Sequence, residues 1–581
     1  MKSVLVLGDG AVSPPRESAH DEVLQISTCG RRPNVRLQID VFRTKFLREI
    51  PTRLDDLLRI AAYAYAADTR VSRGSPKDVY AQNWRRRFCM VIPVWEPTFW
   101  NSTNTKTLLT ETLQFLTDDE YAFEFVERST RSSDQGILHF KELPGSLPKV
   151  DLVVLFSGGT DSLAAVLEAL SEGRRPILIS HRSTPVIDSR QKQLVGLLRN
   201  DFPGWVFPHV SMWLNSAGDK RTIEFSQRSR SFLFTSLGIL AASLLEIDDV
   251  RLCDNGVVSI NLPRSGQNYG TFLSRSTHPR FLTTVQEFMR QVVERPNLKI
   301  ENTLIFKTKK ETLEIIAASG HPELLQESVS CAHVEGKTRL QPHCGVCTQC
   351  IDRRFAALSA GLEAYDLLSR YEKDLFVDTL REGDEQTHAE NYVRFALALE
   401  SAQTPDQLFE TFPQLYDCLP EDGDVEAFAH SMWELFQRHQ QTVNSVLERQ
   451  IQEHSAEIRR AVLPADCLLR IVGSGHHTKD PHFRYIERLR GLLSTSLPIF
   501  FQSEKPKNER HVQDAGEAAL KTARESLERE SPQIPFGVIS TKPDFARIQH
   551  DGISLFVEFK YPKDRRRLNS IVTEMTSRVT I

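Results

Sequence analysis

An α/β architecture arranged around a parallel sheet is the fold class this sequence predicts, and three observations predict it. From Asp151 to Ser330, short apolar runs alternate with segments of helical periodicity, the pattern of strands joined by helical crossovers. A run of small residues, Ser157-Gly158-Gly159-Thr160-Asp161-Ser162, interrupts that alternation where a strand gives way to a helix. The flanking regions differ in kind, with mixed strands and helices before it and helix alone directly after it. At 581 residues the chain exceeds one hydrophobic core, so several domains are expected.

Residues 1–148 read as a mixed α/β domain suited to recognising a partner. "VRLQIDVF" and "FCMVIPVW" have strand patterns, and "RLDDLLRIAAYAYAADTR" has helical spacing. The opening "VLVLGDGAV" holds Gly-x-Gly after a strand but lacks the third glycine of a dinucleotide fingerprint, so it reads as a strand and a turn. Residues 149–360 carry the alternation: strand Asp151–Phe156, helix Ser162–Leu170, strand Pro176–His181, helix "RSFLFTSLGILAASLL", strand "DVRLCDNG" and helix "PRFLTTVQEFMRQVVE". Residues 361–462 show helical periodicity only, in "AYDLLSRYEKDLF", "NYVRFALALESA" and "VEAFAHSMWELFQRHQQTVNSVLERQI", and read as a helical connector or subdomain. Residues 463–581 return to α/β, with helices "HFRYIERLRGLLSTS" and "ERHVQDAGEAALKTARESLERE" before two short strands.

The net charge of −4 argues against bulk attraction to nucleic acid, while leaving room for a local basic patch. No apolar run approaches the ~20 residues a bilayer span needs, so no membrane partner is expected. The start, Met1-Lys2-Ser3 and then Val4–Leu7, is too brief for a signal peptide, which predicts a cytoplasmic location. Four of the nine cysteines crowd between Cys331 and Cys350, and in that compartment such clustering reads as metal binding.

The glycine loop sits where unpaired backbone N–H groups and the positive end of a helix dipole favour an anion. Gly158 and Gly159 let the backbone approach a phosphate, and Ser157 and Ser162 add hydroxyl donors. Asp161 would repel a phosphate directly, so it makes better sense holding Mg²⁺ that bridges phosphate oxygens. The competing reading is an ordinary β–α turn capped by Ser or Asp. Cys331, Cys344, Cys347 and Cys350 read C-x12-C-x2-C-x2-C, which suits a closed tetrahedral Zn²⁺ site with a structural role. His333 and His343 stand nearby as substitute ligands.

The Ser-Gly-Gly-x-Asp-Ser pattern resembles the PP-loop of the ATP pyrophosphatase superfamily, whose sheet domain is adenine nucleotide alpha hydrolase-like. The order of that loop, then "FKTKKETL", then "SC…HCGVCTQCIDRRFA" is similar to the 7-cyano-7-deazaguanine synthases over roughly residues 150–360. The resemblance implies ATP cleaved between its α- and β-phosphates, a deazapurine carboxylate adenylated, and an amide and then a nitrile formed. It implies that Ser157, Gly158, Gly159, Thr160, Asp161 and Ser162 bind ATP and Mg²⁺. Lys309 and Arg230 become phosphate or carboxylate contacts, or else ordinary surface charge. "NGVVSINLP" and "LSRSTHPRF" depart from the biosynthetic enzymes and look more like synthase-like proteins of antiphage operons, including the Qat and type IV CBASS systems. In such relatives a protein amine can replace ammonia as acceptor. Asn255, Asn261 and His278 then either contact substrate or satisfy loop backbone.

At the far end, "KPDFARIQHDGISLFVEFKY" places Asp544 before one strand and Glu558 and Lys560 near the end of the next. By alternation Glu558 and Lys560 face the same side, and two carboxylates with a lysine suit metal-assisted phosphodiester hydrolysis, with Glu509 as an additional carboxylate. The region resembles the PD-(D/E)xK nuclease superfamily, and "YPKDRRR" offers basic groups for DNA. Two rival functions stand beside the synthase. One is a defence nuclease whose PP-loop domain senses nucleotide, and the other is a PP-loop tRNA-modification enzyme.

Overall fold

The structure is a computed structural model and describes residues 2–12, 20–29, 33–46, 48–73, 85–128, 149–182, 184–216, 223–224, 226–263, 275–333, 336–420, 423–473, 493, 496–497, 500–501, 506–522, 528–529, 534–536, 539–541, 545–548 and 554–557. Its architecture is α/β. The amino-terminal elements are β1 (Lys2–Gly8), β2 (Glu22–Ile26), β3 (Val35–Leu37), α1 (Asp40–Phe46), α2 (Thr52–Arg70), β4 (Arg86–Val94), α3 (Pro97–Trp100), α4 (Thr103–Thr117) and β5 (Glu120–Glu127). Four of these strands form a parallel sheet in the order β2-β1-β4-β5.

The central elements follow as β6 (Leu152–Leu155), α5 (Thr160–Ser171), β7 (Pro176–Arg182), α6 (Pro185–Asp201), β8 (His209–Ser216), α7 (Arg230–Leu245), β9 (Asp249–Arg251), α8 (Gly256–Ile260), α9 (Pro279–Val293), β10 (Lys299–Glu301), α10 (Lys309–Ala318), α11 (Leu324–Glu327) and α12 (Thr348–Ser359). Their sheet runs β10-β9-β6-β7-β8-β3, and its first five strands are parallel. All four residues of β6 are buried, as a parallel strand covered by helices on both faces requires.

β3 comes from the amino-terminal region yet closes the edge of the central sheet, antiparallel to β8. The expected strand "VRLQIDVF" is therefore corrected: Val35–Leu37 is strand, and Asp40–Phe46 turns helical. Val35, Ile39, Phe42 and Phe46 recur at helical spacing while Val35, Leu37, Ile39 and Val41 alternate, and the former four enter one core. That core is continuous from Val4 and Phe88 in the first sheet through Leu57 and Tyr63 of α2 to Phe232 of α7 and Phe288 of α9. α7 is apolar on every side because it lies between α2 and the central sheet.

A buried ionic network locks the same junction. Arg86 is fully buried and donates to Asp119 Oδ2 at 2.6 Å and to Asp68 Oδ1 at 2.5 Å. Asp68 Oδ2 in turn accepts from Ser229 N at 2.9 Å and Ser229 Oγ at 2.8 Å, which places a carboxylate at the amino end of α7.

The region expected as a connector or subdomain contains α13 (Asp384–Glu400), α14 (Pro405–Thr411) and α15 (Val425–Glu453). One stretch of α15, with Leu435 and Phe436, packs on Val257 and Ile260 of α8. Another, with Val443 and Val446, packs on the cysteine cluster. At Gly256 a Cβ would come within 2.0 Å of Ile305 O and 2.6 Å of Leu435 Cδ2. Glycine is what allows α8 to lie so close to α15. "AYDLLSRYEKDLF" is a correction, because it forms turns and a short 3-10 segment at Leu368–Arg370 rather than an α-helix. Arg353 donates to Asp366 at 2.7 Å and Tyr371 Oη donates to it at 2.8 Å, and these tertiary bonds override the weak helical preference.

Beyond residue 500, a helix spans Glu509–Thr522, and strands Phe545–Ile548 and Ser554–Val557 pair antiparallel. Among the described residues no helix is long and apolar enough to cross a membrane.

Candidate active site and metal centre

The loop follows β6 and opens α5 at the carboxyl end of the central strands, the edge where open α/β sheets bind ligands. Gly158 has φ +83°, a left-handed conformation that a side chain would strain. Gly159 N donates to Ser157 Oγ at 3.3 Å and Gly158 N to Ser162 Oγ at 3.2 Å, while the two hydroxyls lie 3.1 Å apart. The loop's own hydroxyls thus hold its backbone in shape.

Asp161 lies in the first turn of α5 and is buried. Its Oδ1 accepts from Lys309 Nζ at 2.9 Å and Thr312 Oγ1 at 3.0 Å. Its Oδ2 accepts from Asn255 Nδ2 at 3.1 Å and Asn255 N at 3.3 Å. Lys309 reaches this point because Thr308 and Glu311 form a capping box that fixes the start of α10. Thr312, three residues on, shares the same helix face.

Asp254 follows β9, the strand beside β6, and was not singled out from sequence. Thr277 Oγ1 donates to its Oδ2 at 3.0 Å, and Asn302 Nδ2 donates to its backbone oxygen at 2.7 Å. Burial, and then the charge of Asp161, push the Asp254 carboxyl up to about 7. A carboxylate at the end of a strand adjoining the glycine loop was the signal available in "DVRLCDNG". Asp161 and Asp254 thus bring two carboxylates to the end of adjoining strands, with Asp161 already engaged by Lys309, Thr312 and Asn255.

The remaining expectations divide. Asn255 joins the site and also caps α8, accepting from Val258 N at 3.2 Å. Asn261 ends α8 with φ 53°. His278 caps α9, accepting from Arg280 N at 3.2 Å, with its other nitrogen 3.3 Å from Cys418 Sγ. Burial holds the His278 imidazole well below its ordinary pKa. Arg230 opens α7, whose amino end faces Asp68, and among the described residues no hydrogen bond joins it to Asp161. Asp544, Glu558 and Lys560 lie outside the described residues, as does the side chain of Glu509.

The sulfurs of Cys331, Cys344, Cys347 and Cys350 lie within 4.8 Å of one another, and all four residues are buried. Cys344 Sγ and Cys350 Sγ are 3.8 Å apart, the edge of a tetrahedron whose metal–sulfur bonds are about 2.3 Å. Hydrogen bonds from Cys331, Cys347 and Cys350 hold the Cys344 thiol far below its ordinary value, whereas contact with Cys331 and Cys344 drives Cys347 and Cys350 up. A divalent cation is what lets all four become thiolates together, so the group fits Zn²⁺. Purified protein is expected to carry one zinc per chain by plasma mass spectrometry. Cys350→Ser is expected to lower zinc affinity by more than the roughly 10–100-fold seen when only a partner of a metal ligand is lost.

No protein-family model matches the chain, and no curated protein matches it.

Proposed function

We propose that the chain is an ATP-splitting enzyme of the PP-loop type, related to the 7-cyano-7-deazaguanine synthases, that adenylates a deazapurine carboxylate. The observation that supports it most is the meeting of Asp161, Lys309 and Asn255 beside a preformed glycine loop at the carboxyl end of a parallel strand. In this reading a substrate carboxylate oxygen attacks the α-phosphorus, and the bond to the β-phosphate oxygen breaks with its electron pair leaving on pyrophosphate. An amine, from ammonia or a partner protein, then attacks the acyl carbon and AMP leaves. Amide or nitrile formation in antiphage defence is the product class carried over from the resemblance.

The chain's own groups divide the work. The amino end of α5, with the Ser157 and Ser162 hydroxyls, holds phosphate oxygens against the helix dipole. Lys309, already paired with Asp161, is positioned to neutralise phosphate charge. Asp161 and Asp254 would hold Mg²⁺, which when bound offsets charge on the departing pyrophosphate.

Pyrophosphate and AMP are expected to appear together when ATP and 7-carboxy-7-deazaguanine are supplied, with ¹⁸O passing from labelled carboxylate into AMP. Absence of both products would sink the proposal.

Asp254 also predicts a pH dependence. Its folded pKa of about 7 lies above the ordinary carboxylate value of 3.8, so between those limits the folded state binds more protons than the unfolded. Without divalent cation, stability is therefore expected to fall as pH rises from about 4 to 7. Burial pushes Asp56 up to about 7 as well, with the same sign. The test is thus the difference between wild type and Asp254→Asn in urea titrations. A shallower slope in the variant is the expected result, and identical slopes would count against it.

A further inference from the structure

The cysteine cluster and the phosphate loop touch through one short strap, Ser328-Val329-Ser330-Cys331. At the loop end, Val329 N donates to Gly158 O at 3.2 Å, holding the residue whose φ is +83°. Thr160 N lies 3.4 Å from Ser330 Oγ, and Thr160 Oγ1 lies 3.2 Å from the same oxygen. These contacts have a clear cause. The residue at the N-cap of α5 is Gly159, which makes no side-chain cap. The first N–H groups of a helix need acceptors, and Ser/Thr/Asp/Asn side chains normally supply one from the cap position. The loop keeps glycine there for close anion approach, so the capping hydroxyl arrives from residue 330, far along the chain.

The strap is gripped at both of its ends. Arg353, buried on α12 three residues after Cys350, donates to Ser328 O at 2.9 Å and Ser328 Oγ at 3.1 Å. At the other end Cys331 is one of the four clustered thiols and adjoins Ser330 directly. A metal ion bound by Cys331 therefore fixes the residue next to the hydroxyl that caps the phosphate loop.

We propose that Ser330 is a positioning residue for the phosphate loop, held by the metal-bound Cys331, so that metal occupancy and nucleotide binding are thermodynamically coupled. The inference rests on ATP binding at this loop, as argued under Proposed function. Coupling of this kind is reciprocal: if metal organises the loop for nucleotide, nucleotide must tighten the metal by the same factor.

The test measures apparent zinc affinity by competition with a chromophoric chelator, with and without ATP and Mg²⁺. ATP binding is followed in the same samples by equilibrium dialysis. In wild type, ATP is expected to raise zinc affinity at least about fivefold, the low end of measured couplings between sites. Ser330→Ala is expected to abolish that ratio while still binding zinc, and Ser330→Thr, which keeps the hydroxyl, to restore it. A hydroxyl that only stabilised the fold would change zinc affinity equally with and without ATP, leaving the ratio intact, and that result overturns the proposal. ATP bound by wild type with no change in zinc affinity overturns it too, leaving the functional reading standing. No ATP binding at all removes both.

Discussion

Asp161→Ala is expected to reduce ATP-dependent pyrophosphate release by at least about 10²–10³-fold, the loss typical when one preorganised electrostatic group is removed from a reaction centre. The geometry makes this the most sensitive position in the site. Asp161 gathers Lys309, Thr312 and Asn255, which come from two other helices and their caps. Removing its carboxylate leaves the buried Lys309 ammonium without its 2.9 Å partner and takes away the acceptor of both the Asn255 N–H and its side-chain amide. The variant should keep its zinc, because none of the four cysteines touches Asp161 through a hydrogen bond among the described residues. Initial rates of pyrophosphate release, with zinc content as the control for folding, check the prediction. Retained activity in a folded variant would remove this carboxylate from the chemistry.

Arg86→Met should destabilise the protein by about 3–5 kcal/mol, the cost of breaking a buried ion pair by removing one partner. Asp68 and Asp119 are as buried as Arg86 itself and would remain as uncompensated charges. Arg73 approaches Asp119 at 2.7 Å and can offset only part of the loss, because its contact with Asp68 is 3.5 Å. The effect should reach beyond the first sheet, since Asp68 also accepts from Ser229 at the amino end of α7. Urea denaturation followed by tryptophan fluorescence measures the change. Arg48→Met, at a solvent-exposed pair with Glu246, is the comparison, with an expected effect of about 1 kcal/mol or less. Equal effects at the two positions would mean that the buried network does not hold the two sheets together.

The difference between these two sites also separates what could be read in the sequence from what could not. The glycine loop and the cysteine cluster were legible because each is local. Six consecutive residues define the loop, and Cys344, Cys347 and Cys350 sit three apart, so no long-range contact is needed to bring them together. The helices Arg230–Leu245 and Pro279–Val293 were legible for the same reason, each carrying its own apolar pattern and start signal. Lys309 was legible only through the resemblance, and its bond to Asp161 spans 148 positions.

Other features had no local signature. "VRLQIDVF" satisfies period two and helical spacing at once, and only the free edge of β8 selects strand for Val35–Leu37 and helix from Asp40. Ser330 looks like any serine before a cysteine until the fold lays it against a helix whose own cap is glycine. Asp254 becomes a carboxylate with a raised pKa only because strand order places β9 beside β6. By itself the sequence determined the α/β class, the loop, the four thiols and the helices with the strongest apolar pattern, such as Arg230–Leu245 and Pro279–Val293. The tertiary structure alone decided which distant groups face Asp161 and how the loop is capped. Hydrogen bonds, helix periods and turn geometry are set by neighbours in the chain, whereas burial and charge proximity arise only when strand order brings remote segments to one edge.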